Sequence, residues 1–402
     1  MKKHSGQNRQ ETARWRPATR AVRGGTMRSE FGETSEAIYL TSGYTYDDAA
    51  TVAARFAGDA EGMTYSRLQN PTVAMLEERL ALIEGAEACR TMATGMAAMT
   101  AALLSQLKTG DHVVAARAMF GSCRWLTDTL LPKFGVATTI VDGRDNDAWA
   151  RAMRPETRLC FLETPANPTL DVCDIRAVAD IAHAGGAKLV VDNAFATPAL
   201  QRPLEHGADI VAYSATKLLE GQGRVLAGAV LGARDFIEGD LLAFIRNTGP
   251  TLSAFNAWVV LKALETLDIR VEKQCENALR VAHFLDARVP RLLYPGLASH
   301  PQHQLAMQQM TAGGVIMSFI VDGGRAQAHA VLDALRLIDI SNNIGDARSL
   351  MTHPASTTHS GLAAEVREDM GVGEGMLRLS VGLEDADDVI DDLDQALAAA
   401  GL

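Results

Sequence analysis

From about residue 72 the chain alternates short apolar runs with segments whose apolar residues recur at helical spacing. The runs lie at 112–116, 137–141, 159–162, 189–191 and 210–213. Between them Met75, Leu76, Arg79, Leu80 and Ile83, and later Ile175, Val178, Ala179, Ile181 and Ala182, share helical faces. This alternation predicts a large α/β domain, a mostly parallel sheet covered by helices on both faces, because parallel neighbours are joined by right-handed crossovers. A long helical stretch from 254 to about 287 follows and is ended by Tyr294-Pro295-Gly296. Beyond it a strand at 315–321, a helix at 326–337, a strand at 377–381 and a terminal helix at 384–400 predict a smaller α+β domain. The expected division is an arm over 1–20, a segment over 21–70, the large domain over 71–265 and the C-terminal domain over 266–402, with no internal repeat.

Composition narrows the function classes. The chain has 402 residues and a net charge of -11, from 38 basic and 49 acidic side chains, which repels nucleic-acid phosphate and anionic lipid. The longest apolar stretch, near 92–107, is broken by Thr94, Gly95, Thr100 and Ser105, so no membrane anchor is expected. Five cysteines without a CxxC pair suit a reducing cytoplasm. Lys2, Lys3, Arg9, Arg14, Arg16 and Arg20 dominate a start that lacks the apolar centre of a secretory signal and the amphipathicity of a transit peptide. It reads as a disordered arm.

Reactive groups in an open α/β sheet sit where strands end. One run ends in Asp192-Asn193 and another in Ser214-Ala-Thr216-Lys217, an acid and, 25 residues later, a lysine flanked by two hydroxyls. Pyridoxal 5'-phosphate enzymes use such a set: the lysine forms a Schiff base and the acid keeps the pyridine nitrogen protonated. Ser214, Thr216 and the backbone N–H groups of the turn Ala93-Thr94-Gly95-Met96 would then hold the phosphate at a helix start. Taken singly, an acid after a strand is often a helix cap and a lysine usually a solvated charge. Their joint order discriminates.

With these residues in place, the chain resembles the Cys/Met-metabolism family of pyridoxal-phosphate enzymes, from about Thr41 to Leu383. The matching segments are Tyr65-Ser-Arg67-Leu-Gln-Asn70-Pro-Thr, Ala93-Thr-Gly-Met-Ala-Ala, Glu163-Thr-Pro-Ala-Asn167-Pro-Thr, Val190-Val-Asp192-Asn-Ala-Phe, Tyr213-Ser-Ala-Thr-Lys217, Gly221-Gln-Gly-Arg-Val and Leu377-Arg378-Leu-Ser-Val-Gly-Leu-Glu-Asp. The resemblance implies fold type I, the aspartate-aminotransferase-like architecture. It implies Lys217 as the Schiff-base lysine, Asp192 as partner of the pyridine nitrogen, and Gly95, Met96, Ser214 and Thr216 as phosphate ligands. Tyr65 and Arg67 would clamp the cofactor phosphate of a neighbouring subunit, which makes the enzyme a homo-oligomer, a tetramer built from two dimers. Arg378 would hold the substrate α-carboxylate with Asn167 and Ser349. Phe120 stands where many relatives place a tyrosine that stacks on the cofactor ring; it can stack but exchanges no proton. Phe120-Gly-Ser-Cys-Arg, together with Asp346-Ala-Arg348-Ser349-Leu, is most similar to the O-succinylhomoserine sulfhydrylase branch. Cysteine in place of sulfide, an acetyl ester, or γ-elimination stay open at this point, as does a cofactor-binding sensor without turnover.

Other motifs have plainer readings. Tyr213 and Lys217 spell the YxxxK of short-chain dehydrogenases, but no glycine-rich dinucleotide turn precedes them. His300, His303, His353 and His359 read as loop residues rather than metal ligands. Met92, Met96 and Met99 read as one helical core stripe, Cys123 as a small buried hydrophobe, and the aspartates over 385–394 as a solvated helix face.

Overall fold

The expected strands assemble into one seven-stranded sheet in a computed structural model that describes residues 9–402. In chain order they are β1 (Ala88–Met92), β2 (His112–Ala116), β3 (Ala137–Val141), β4 (Thr157–Glu163), β5 (Lys188–Asp192), β6 (Ile210–Ser214) and β7 (Gly228–Gly232). The order across the sheet is β1-β7-β6-β5-β4-β2-β3. Strands β3, β2, β4, β5 and β6 are mutually parallel, and β7 runs antiparallel to both of its neighbours. The sheet is buried on both faces, with one apolar cluster around β2, β4 and β5 and another between β6, β7 and the helices Pro71–Glu84 and Ala254–Leu264. Strands β1 and β7 were not expected. Gly228 and Gly232 blur the apolar run of β7, and Arg90 and Thr91 blur that of β1. Met92 closes β1 while Met96 and Met99 lie on the following helix, so the methionines form no single stripe.

The second sheet has five strands in the order β10-β11-β12-β9-β8, with β8 at Arg291–Leu293, β9 at Ile316–Ile320, β10 at Asp339–Ile340, β11 at Leu350–Thr352 and β12 at Met376–Ser380. The terminal helix Ala386–Ala399 covers it. Asp392 departs from the solvated face expected for that helix: it is buried and accepts the backbone N–H groups of Arg336, Leu337 and Ile338, each at 2.9 Å.

Two further expectations are corrected. The single helix over 254–287 is two helices, Ala254–Leu264 and Leu267–Asp286, because Thr266 leaves the helical region at φ -116°, ψ 11°. The first packs on Pro71–Glu84 and the second on Ala386–Ala399. Of the arm expected over 1–20, residues 1–8 lie outside the described residues, and the rest is not disordered: it carries the helices Arg9–Thr12 and Pro17–Arg23. Two of its arginines bind the fold. Arg9 bonds Glu78 and the Ala86 carbonyl, and Arg20 bonds the carbonyls of Ala13, Trp15 and Leu82. Arg79, wholly buried in the helix Pro71–Glu84, donates to Gly24 O at 2.8 Å, Leu261 O at 3.2 Å, Thr26 Oγ1 at 3.1 Å and Glu36 at 2.6 Å. All five cysteines are unpaired and buried. Among the described residues no helix is long and apolar enough to cross a membrane, and no histidine, cysteine and carboxylate cluster could hold a metal.

Candidate active site

The ends of β4, β5 and β6 open onto one cavity, as the crevice rule for parallel sheets requires. Asp192 closes β5, is buried, and accepts the N–H of Ala194 at 3.0 Å. Burial pushes its carboxyl up to about 7. Lys217 follows the last residue of β6 by three positions, and its Nζ enters the same cavity and donates to Asn343 Oδ1 at 2.5 Å. Burial first, and then the charge of Arg378, bring this amine down to about 8. A sizeable fraction is therefore neutral and nucleophilic near physiological pH.

One wall is the start of the helix Gly95–Leu104. Thr94 caps it by accepting the N–H of Ala97 at 3.0 Å, which leaves the N–H groups of the first turn facing the cavity. Gly95 is required there: a Cβ would stand 2.5 Å from the Ser214 Cβ. The cradle between Gly95, Met96 and Ser214 thus has hydroxyl and amide donors and no side chain in the way, the features an anionic phosphate needs.

Arg378, on β12, brings the second sheet to the cavity. Its guanidinium is buried; one nitrogen donates to Asn167 Oδ1 at 2.9 Å, another to Asn342 O at 2.9 Å, and Nε has no partner. Burial lowers it to about 10, where it remains charged. Phe120 and Cys123 also line the cavity, Cys123 almost wholly buried. Burial raises the Cys123 thiol, further raised by the charges of Asp192 and Glu163, so it is packing rather than a nucleophile.

The cavity thus gathers Lys217, Asp192, Gly95, Met96, Ser214, Phe120, Arg378 and Asn167. It does not gather the rest. The Thr216 hydroxyl donates to Ala227 O at 3.2 Å and accepts Ala227 N–H at 3.0 Å, away from the cavity wall. Ser349 is turned to Glu384, with Oγ donating to it at 2.9 Å and accepting Gly382 N–H at 2.9 Å. Tyr65 is 43% exposed with the Arg67 guanidinium stacked on its ring at 5.6 Å, and Arg67 also bonds the Arg246 carbonyl. Tyr213 points its hydroxyl the other way, 2.5 Å from Glu84, so the YxxxK pair does not meet.

Sequence reasoning missed Glu163, Asn342, Asn343, Thr358 and His359. Glu163 ends β4 just as Asp192 ends β5, so the same strand-end rule would have found it. Thr358 lines the cavity because Gly121 lets its loop approach; a Cβ on Gly121 would lie 2.9 Å from Thr358 O. His359 beside it is held neutral, brought down to about 4 by burial and then by the Arg378 charge.

Lysine, acid, phosphate cradle and arginine fit pyridoxal 5'-phosphate and an amino-acid substrate. A family model described as Cys/Met metabolism PLP-dependent enzyme matches residues 18–398. The chain is 52% identical over 387 residues to the O-succinylhomoserine sulfhydrylase of Mycobacterium tuberculosis, covering 95% of each. It is 46% identical over 383 residues to that of Pseudomonas aeruginosa, again with 95% of each covered. The structure of cystathionine gamma synthase from Xanthomonas oryzae pv. oryzae in complex with cystathionine superimposes with a TM-score of 0.91 at 37% identity, covering 96% of this chain and 99% of that one.

Proposed function

Since the chain belongs to the Cys/Met metabolism PLP-dependent enzymes, we propose that it converts O-succinyl-L-homoserine and sulfide to L-homocysteine and succinate, a step toward methionine. The observation that carries this reading is the meeting of a lysine brought down to about 8, a buried acid and a buried arginine with a free Nε–H in one cavity. Relatives named O-succinylhomoserine sulfhydrylase supply the ester and the acceptor.

When bound, pyridoxal phosphate supplies an electron sink for the carbanion at the substrate α-carbon. Lys217 would hold it through Nζ and, once freed by the substrate amine, take up the α-proton, with Asn343 steadying it. Asp192 would keep the ring nitrogen protonated. Phe120 would supply an aromatic face to the ring, and because its side chain has no proton to exchange, deprotonation of the incoming amine would fall to Lys217 or water. Arg378, aligned by Asn167, binds the α-carboxylate. Lys217 would also accept the β-proton, so that succinate can leave with the electron pair of the C–O bond; after hydrosulfide adds at the γ-carbon, protons returned to the β- and α-carbons would complete L-homocysteine, and the Lys217 amine would replace the product amine.

The Gly95 and Met96 amides and the Ser214 hydroxyl receive the phosphate, joined by Thr216 if its hydroxyl leaves Ala227. The cationic and anionic side chains lining the cavity, Lys217 and Arg378 against Glu163 and Asp192, cancel. A phosphate dianion therefore calls for another cation, which supports assigning the exposed Tyr65–Arg67 pair to the site of a neighbouring subunit and the enzyme to a homotetramer made of two dimers. Buried, unpaired cysteines support a reducing, cytoplasmic setting.

The test is product analysis with succinyl- and acetyl-homoserine offered with sulfide and cysteine in competition. Homocysteine with succinate is expected. Predominant cystathionine would move the enzyme to the γ-synthases, and 2-oxobutanoate formed without an acceptor would move it to the γ-lyases.

A further inference from the structure

Glu163 is the one charged group of the cavity to which the proposed chemistry gives no task. It ends β4 in register with Asp192 and is 2% exposed. Two carboxylates side by side out of water are costly, and among the described residues Glu163 forms no ion pair to offset that cost. Its oxygens instead serve two different loops. Oε2 accepts the N–H of Phe120 at 2.5 Å, and Oε1 accepts the N–H of Asn167 at 3.1 Å. The first loop carries the aromatic wall; the second carries the amide that aligns Arg378.

We propose that Glu163 is a positioning residue whose single carboxylate bridges the Phe120 and Asn167 loops and so sets the distance between the ring-stacking wall and the carboxylate-binding arginine. The inference rests on the pyridoxal-phosphate reading for its kinetic consequence, not for its geometry. Each carboxyl oxygen accepts one of these N–H groups, and because burial and the neighbouring Asp192 push the Glu163 carboxyl up, the bridge rests on its two acceptor oxygens and not on its charge. A glutamine of the same shape offers one acceptor oxygen and one amide NH2, which would set N–H against N–H at one of the two loops. An aspartate keeps the carboxyl but is one methylene too short to reach both.

Two readouts separate this role from general support of the fold. Hydrogen–deuterium exchange of the protein without substrate, followed in peptides spanning 117–124 and 164–170, is expected to speed up in at least one of these loops in Glu163→Gln and in Glu163→Asp, with the exchange of β2 and β5 unchanged. In the holoenzyme, kcat/KM for O-succinylhomoserine is expected to fall about 10- to 100-fold in Glu163→Gln, the scale of one buried polar group left without its hydrogen-bond partner, mostly through KM because Arg378 loses its alignment. If Glu163→Gln does not fold, Glu163→Asp carries the same test. Unchanged exchange in both loops, or a KM equal to that of the wild type, overturns the proposal. Wild-type protein that forms cystathionine overturns the functional reading and leaves the exchange result standing.

Discussion

The polar interior around Arg79 and the polar interior around Lys217 are built on opposite terms. At Arg79 every nitrogen of the guanidinium has an acceptor, and Glu36 is paired with both Arg79 and Lys262. Burial would raise the Glu36 carboxyl, but these partners outweigh it and hold it at about 2. At the active site Arg378 Nε has no partner, Lys217 meets only a neutral amide, and neither Asp192 nor Glu163 has a cation in direct contact among the described residues, the charge of Arg378 acting on Glu163 only from a distance. Saturated polar groups hold the N-terminal segment in place; unsatisfied ones wait for a ligand. Buried charge thus marks function only where its hydrogen-bonding capacity is left open.

Mutations should divide along this line, beginning with the largest effect. Lys217→Ala is expected to lower turnover by 10⁴-fold or more, on the order of 5 kcal/mol, while raising or preserving Tm, since it removes a buried amine bonded to a neutral amide rather than to a carboxylate. Unaltered γ-replacement by that variant would remove Lys217 from the chemistry. Arg79→Ala should do the reverse, costing about 3–5 kcal/mol of stability by leaving the buried Glu36 with Lys262 but without Arg79 and by freeing the Gly24 and Leu261 carbonyls, with the specificity constant per folded molecule little changed. Denaturant titration beside active-site counting measures both quantities.

Glu84 sharpens the contrast, because it is buried like Glu36 but without a cation. Burial pushes it up to about 8, and its hydrogen bond from Tyr213 only partly opposes this. Arg202 and Glu205 act on it with opposite signs. A carboxyl raised in the folded state binds its proton more tightly there than in the unfolded chain. Its contribution to stability is therefore full below pH 4.5 and lost as pH rises toward 8. Glu84→Gln keeps an acceptor for Tyr213 and removes the titration. Its stability relative to wild type should grow from pH 5 to pH 9 by at most about 1.4 kcal/mol per unit within the window. A difference independent of pH would show that Glu84 is ionised throughout. The smallest effect belongs to Ser349→Ala: about 1 kcal/mol or more of stability from the lost Glu384 and Gly382 bonds, and an unchanged KM for the homoserine ester, because the hydroxyl faces away from the cavity.

Much of this was legible in the sequence. Strands β2 and β3 coincide with their expected runs residue for residue: β2 is an interior parallel strand buried along its whole length, and β3, at the sheet edge, is still a β-branched run that ends in the buried Val141. Asp192 and Lys217 stand out because each is a polar group at or just past the end of an apolar run. The break at Thr266 does not, since neither glycine nor proline marks it and Leu264 and Leu267 on either side are both buried. Asn342, Asn343 and Thr358 were invisible for a different reason: they sit on loops of the second sheet, and only the packing of that sheet against Gly121 and Arg378 delivers them. Ser349 shows the converse, a family-implied role whose hydroxyl the fold turns elsewhere.

The buried cysteines have a practical consequence. Burial lifts the thiols of Cys89 and Cys123 well above their ordinary range and those of Cys160 and Cys275 to about 12, so none offers thiolate to a reagent in solution. A chromogenic disulfide added to a running reaction would therefore report released homocysteine against a silent protein background, once the excess inorganic sulfide is purged. Slow colour development in the absence of turnover would then time the opening of the core.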